Sequence, residues 1–380
     1  MRKVLLSGFV AAAVVVAVAC GDDDAAPGVA VADAGTDATT NPDTGSAPRD
    51  AGATSDAGDA GPTCDASSPT TLTGKVLDPA GQLGLSNVLV YVPAGDAPAA
   101  LTTGPSCDPC SATTGAARAS ATTDATGAFT ITNVPADIDF PLVVQIGKWR
   151  RTLTVSKVAA CSTTAIEPER TRLPKNRNEG NIPHIAVAAG GADSLECLLR
   201  RVGVDDSEFG IAGSDARIHL FTGGGGATTK LADGGTSLPA STSLWTDLAS
   251  LSAYDLVLLS CEGAENPGTK PQTSIDAMYE YAKKGGRIYA DHWQRTWFTS
   301  SSDPALKGIA TWTAEVDPPS PLNVTVNTAG ARGMVFRDWL ADAGALSGEN
   351  TISVPELQHT VRAVDAGAEP PDPRKRGKVC

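Results

Sequence analysis

The chain has 380 residues, 41% of them hydrophobic and 5% aromatic, and a formal net charge of −13. That length exceeds one ordinary domain, and the acidic balance excludes the basic stripe that nucleic-acid binding requires. Residues 21–69 hold ten Asp against one Arg, a net −9, so the charge belongs to one segment and the remainder is only mildly acidic.

The first element is Met1-Arg2-Lys3 followed by an apolar run from Val4 to Ala19 that ends in Ala17-Val18-Ala19-Cys20. A basic head, a short apolar stretch and small residues before a break describe a processed export signal rather than a spanning helix. Cys20 at the break predicts a lipoprotein signal over 1–19, with Cys20 acylated and holding the chain to a lipid membrane. Such a protein lies in the cell envelope, extracytoplasmic, at the outer membrane or the periplasmic face. Residues 20–69 then form a tether of Asp, Ala, Gly, Thr, Ser and Pro in which Asp-Ala-Gly recurs. Such a composition buries too little apolar area to overcome ordering entropy.

Residues 70–168 have period two. Strands are predicted at Thr71–Leu77, Leu85–Val92, Ala119–Thr123, Ala128–Ile131, Phe140–Ile146 and Arg151–Val155, with Asp/Gly/Pro turns between them. Short strands without helical period indicate a small all-β sandwich. The insertion at 93–118 is either a binding loop or a pinned one, and Gly147-Lys148-Trp149-Arg150-Arg151 places a cationic, aromatic cluster at a turn. The spaced pair Cys107 and Cys110 lies in a Gly/Pro/Thr loop without further metal ligands. In an oxidising compartment it is read as a disulfide, closed on itself or paired with Cys64 and Cys161.

A polar linker at 169–181 precedes a change of period. Strands at Ile182–Ala188, Arg217–Phe221, Asp255–Ser260 and Arg287–Ala290 alternate with helices at Ser194–Val202, Leu244–Leu251 and Ile275–Lys284. Alternation of this kind predicts a parallel sheet covered on both faces, a three-layer flavodoxin-like α/β domain over 182–362. Residues 363–380 form a basic, Pro-containing tail. Either the sheet is complete before that tail or a further strand is truncated.

Thr73-Gly74-Lys75-Val76, Thr123-Asp124-Ala125-Thr126-Gly127-Ala128-Phe129 and Val134-Pro135 give the first domain a likeness to the carboxypeptidase regulatory-like, or Cna-B-like, sandwiches, which have a transthyretin-like fold. That resemblance implies a spacer or a contact module. Tyr254 to Ser260 and Tyr279 to Ala290 resemble the class I glutamine amidotransferase-like superfamily. Its catalytic members carry a Cys nucleophile on the elbow after the later strand. Here Asp291-His292-Trp293 stands at that place, and the His-Glu pair that would follow is missing, so the resemblance implies a domain without amidotransferase activity. The combined order resembles myxobacterial-type lipoproteins with no assigned activity, on Gly147 to Arg151, Leu173-Pro174-Lys175, Gly190 to Cys197, Asp205 to Phe209 and His292-Trp293.

Open α/β sheets bind ligands at the carboxyl ends of their strands. There the chain places Asp193, Glu196 and Cys197, the glycines 223–226, Cys261 and Glu262, and Asp291, His292 and Trp293. His292 is a candidate general base oriented by Asp291 or Glu262, or else a packed imidazole. Cys197 and Cys261 are a candidate disulfide. Asp193, Glu196 and Trp293 are a candidate ligand rim. Asp205-Asp206-Ser207-Glu208 reads as a solvated acidic loop, and the glycine run, which lacks the phosphate-loop spacing, as a loose cover. No cofactor or metal site is expected. The leading reading is a non-catalytic envelope lipoprotein with a glycan or protein partner. The alternative is a hydrolase acting on a glycan or small polar substrate through His292, Asp291 and Glu262.

Overall fold

The computed structural model describes residues 64–65, 68–107, 115–232, 234–313, 318–357 and 361–364. The predicted signal, Cys20, nearly all of the tether, Cys110 and the tail from 365 lie outside the described residues.

Two sheets face each other in the first unit. One has the order β4-β1-β7, formed by β1 (Thr71–Lys75), β4 (Ala128–Thr132) and β7 (Thr163–Ala165). The other has the order β3-β2-β5-β6, formed by β2 (Leu89–Pro93), β3 (Ala117–Thr122), β5 (Phe140–Ile146) and β6 (Trp149–Val155). The period-two pattern sets which side chains meet. Leu72, Phe129 and Ile131 from the first sheet pack against Val90, Val92, Leu142 and Val144 from the second. Each fully buried aliphatic side chain contributes roughly 1.5–3 kcal/mol. The turn before β4 is held by Asp124, whose Oδ1 accepts the Thr126 and Ala128 N–H groups at 2.9 Å each. Gly127 there has φ +85°, and a Cβ would fall 2.5 Å from the Val76 carbonyl oxygen, so only glycine fits.

Residues 169–181 are ordered. After the short helix α1 (Pro168–Thr171), Arg172 makes a two-pronged contact with Glu179 at 2.7 Å per prong. The hydrogen bonds from Arg172 hold the Glu179 carboxyl down to about 2.

The second unit is an α/β layer structure. Its five-stranded sheet has the order β12-β11-β8-β10-β9 and is parallel throughout, with β8 (Ile185–Ala189), β9 (Phe209–Gly210), β10 (Ile218–Thr222), β11 (Leu256–Leu259) and β12 (Arg287–Ala290). Alternation along β8 sends Ile185 and Val187 to one face, where Leu195 and Leu199 of α2 (Leu195–Arg201) cover them. Ala186 and Ala188 face the other side, where their small size admits Trp245, Tyr254 and Tyr281. Here lie α3 (Leu248–Leu251), α4 (Gln272–Lys283) and α5 (Thr296–Thr299). The helix expected over 244–251 is split. Asp247 caps α3 by accepting the Ser250 N–H at 2.8 Å, while Leu244 and Trp245 leave the run to enter the core.

Beyond α5 the chain adds α6 (Pro304–Lys307), the strands β13 (Ala310–Trp312) and β14 (Leu322–Thr325), helix α7 (Ala331–Asp342), and β15 (Thr351–Val354) and β16 (Val361–Val364). β13 pairs with β16 and β14 with β15, both antiparallel, and the β14–β15 pair packs with α7 around a small core of Val326, Leu340, Ile352 and Val354.

The Gly147–Arg151 turn lies at the joint between the units. Lys148 Nζ donates to Asp255 Oδ1 at 2.7 Å and to the Gly104 carbonyl of the insertion. Trp149 packs against both cores and donates its indole N–H to the Pro174 carbonyl at 3.0 Å. Arg150 Nη1 donates to the Ala99 carbonyl at 2.7 Å. The insertion is therefore pinned against the second unit. A Cβ on Gly104 would fall 2.5 Å from the Ser252 carbonyl oxygen.

Candidate functional site

The strand order has its turning point between β8 and β11, since the chain leaves β8 for β10 on one side and returns to β11 on the other. A crevice at such a point is the default ligand site of an open α/β sheet. The loop after β8 brings Gly190, Gly191 and Asp193 to this place, and the loop after β11 brings Cys261 and Glu262. Asp291 and His292 arrive from β12.

These loops fill the crevice themselves. The Ala192 N–H donates to the Cys261 carbonyl at 3.1 Å. A Cβ on Gly190 would lie 2.0 Å from that same oxygen, and one on Gly225 2.0 Å from the Glu262 carbonyl oxygen. At Gly223 and Gly225 the run after β10 is thus a close-packed contact rather than a loose cover; glycine is needed there because backbone meets backbone.

Glu262 is buried and takes no part in orienting His292. Its Oε2 accepts from Lys270 Nζ at 2.7 Å and from Asn266 Nδ2 at 3.0 Å, and both charged side chains are at most 2% exposed. Sequence reasoning missed Lys270. An isolated Lys eight residues after a Glu carries no motif, and only the fold shows that the Asn-Pro-Gly-Thr turn folds it back.

Asp291, His292, Asp193 and Cys261 do come together. Asp291 is buried, caps the following 3-10 turn by accepting the His292 N–H at 2.8 Å, and shares a hydrogen bond with Asp193. Burial, reinforced by the bond to Asp193 and its negative charge, pushes the Asp291 carboxyl up to about 7. Asp291 therefore holds its proton well above the ordinary carboxylate range. His292 meets Trp293 in a tilted ring contact with centres 4.7 Å apart and planes at 47°, and its Nδ1 lies 3.7 Å from Cys261 Sγ. The backbone N–H groups of Trp293 and Gly263 face that sulfur and favour its thiolate, but burial and the charges of Asp193 and Asp291 raise the thiol pKa instead. A reactive cysteine needs the opposite balance.

Cys197 and Cys261 form no disulfide; both are free thiols, Cys197 exposed and Cys261 buried. Leu195 and Leu199 point into the sheet one turn apart, which turns Cys197 to solvent on the far side of α2. Cys64 and Cys161 are joined by a disulfide with Cα atoms 5.2 Å apart. Cys107 is also disulfide-bonded. Glu196 is half-buried with its carboxyl pKa raised by burial, and its Oε2 has no hydrogen-bond partner. Trp293 is half-buried, under the Arg295 guanidinium at 4.9 Å. In the acidic loop, Glu208 is buried rather than solvated, because its Oε1 accepts the Arg177 backbone N–H at 2.9 Å and pairs with the Arg177 side chain.

Behind the cluster, Gln294 was not foreseen. It is fully buried, donates to the Ser260 carbonyl at 2.7 Å and accepts the Trp297 indole N–H at 2.9 Å. Among the described residues no group of three or more His, Cys, Asp or Glu is placed to hold a metal ion, and no helix is long and apolar enough to cross a membrane.

No family model and no curated protein matches the sequence. Among solved structures, the chain is similar at 12% identity to a mutant type II cohesin–X-dockerin complex from Acetivibrio cellulolyticus. The match covers 39% of this chain and 88% of that one with a TM-score of 0.21, a likeness that assigns neither fold nor partner.

Proposed function

We propose that the chain is an envelope lipoprotein, held to a lipid membrane through acylated Cys20, with a non-catalytic binding or scaffolding role toward an envelope glycan or protein. In this reading the first unit is a carboxypeptidase regulatory-like sandwich. The second is a flavodoxin-like, amidotransferase-like domain whose nucleophile position holds Asp291-His292-Trp293. The observation that carries the non-catalytic part is the Glu262–Lys270 pair. Glu262, one of the two carboxylates expected to orient His292, is instead neutralised by Lys270 at 2.7 Å. Labelled palmitate fed to expressing cells tests the anchor: incorporation should be lost in Cys20→Ser. Co-sedimentation of the protein with purified cell-wall sacculi or envelope membranes tests the binding role, and a protein that stays in the supernatant with both contradicts it.

A second reading, a hydrolase, is favoured by one contact. Cys261 Sγ lies 3.7 Å from His292 Nδ1, a distance from which an imidazole takes a thiol proton once a substrate tightens the site. It requires Cys261 to react with electrophiles in the native protein.

A further inference from the structure

On the helical face of β11 and β12, away from the strand-end cluster, lies a cavity of about 90 Å³. Its walls are Leu259, Ile288 and Ala290 of the sheet and Met278, Trp297 and Phe298 of the helices. No charged side chain lines it. The Trp297 indole N–H is committed to Gln294 at 2.9 Å, so that ring presents carbon to the space. Half-buried Tyr279 and Ala282 of α4 and Leu306 of α6 mark the side on which the cavity meets the surface.

Water held in such a place needs two to four polar partners, which this lining does not offer, and apolar cavities of this kind take up apolar guests instead. A space of roughly 150 Å³ accommodates benzene; the present one, at about 90 Å³, is smaller and suits a chain end better than a ring. Met278 adds an adaptable, polarisable wall. We propose that the cavity is a binding site for one unbranched hydrocarbon chain, entering methyl end first past Tyr279 and Ala282. The chain would be that of a free alkyl compound or of a membrane lipid.

The sequence holds three methionines, Met1, Met278 and Met334. Met278 lines the cavity, and Met334 is exposed on α7 at 47%. Full-length protein labelled with methyl-¹³C methionine therefore carries a reporter and an internal control. Titration with 1-octanol should shift the Met278 methyl signal saturably and leave Met334 in place, and Ala282→Phe should abolish the shift by filling the mouth. Leu306→Trp closes the cavity from the opposite wall and serves if Ala282→Phe does not fold. A response to phosphatidylcholine vesicles as well as to octanol identifies a bilayer acyl chain as the source, and a response to octanol alone identifies a free alkyl compound; both support the site. A Met278 signal that does not move with octanol, or one that moves no more than Met334, overturns the proposal.

Discussion

Lys148 Nζ of the first unit lies 2.7 Å from Asp255 Oδ1 of the second, with the two side chains only 8% and 7% exposed. Asp255 Oδ2 also accepts the His184 N–H at 2.7 Å at the entrance to β8. One buried ion pair thus holds the β5–β6 turn of the sandwich, the insertion through the Lys148–Gly104 contact, and the first strand of the parallel sheet.

Removing one member of a buried pair leaves the other charge uncompensated, at a cost of about 3–5 kcal/mol. Lys148→Met is expected to destabilise the protein by that order, and the Lys148→Met/Asp255→Leu double variant by less. Urea unfolding followed by Trp fluorescence checks this. A double-variant loss equal to the sum of the Lys148→Met and Asp255→Leu losses would show that the pair is not coupled.

The buried Asp291 carboxyl makes stability depend on pH. Asp291 titrates at about 7 in the folded protein, against an ordinary value of 3.8, so between these values the folded chain binds a proton that the unfolded chain has released. The stabilisation is fully present below about pH 4 and is lost as pH rises toward 7, with a slope of at most ~1.4 kcal/mol per pH unit. Wild type should lose stability relative to Asp291→Asn across that window and run parallel to it above. Chemical denaturation at stepped pH measures the difference; a flat difference from pH 4 to 8 contradicts the raised Asp291 carboxyl.

The Cys64–Cys161 disulfide spans 97 residues and encloses nearly the whole sandwich. Restricting a loop of that length in the unfolded chain is worth up to about 4.7 kcal/mol in the chain-entropy model, and removing a native bridge commonly costs about 2–5 kcal/mol. Cys64→Ser/Cys161→Ser should lower the melting temperature of the sandwich and make it insensitive to reductant at this bridge. An unchanged melting temperature in calorimetry would contradict that role.

Much of the backbone was legible because its periods are clean. Phe140–Ile146 and Arg287–Ala290 form strands at the expected residues, since one is a short, largely apolar run and the other is bounded by Gly285-Gly286 and Asp291. The three residues of β7 and the strands β13 to β16 were not foreseen, being too short to carry a period. Gly147–Arg151 was visible as a cationic aromatic turn, but its partners, Asp255, Ala99 and Pro174, are distant in sequence. The convergence of Asp193, Cys261, Asp291 and His292 followed from strand-end topology. The Lys270 counter-ion and the facing direction of Cys197 required side-chain geometry, which misled the disulfide expectation.

The closed state of the strand ends is tested most directly by reacting the native, unreduced protein with iodoacetamide and following each thiol by mass spectrometry over time. Exposed Cys197 should alkylate promptly, while Cys261, buried and with a raised pKa, should remain unmodified until denaturant is added. Alkylation of Cys261 as fast as or faster than that of Cys197 would contradict a closed site and establish a reactive cysteine beside its base.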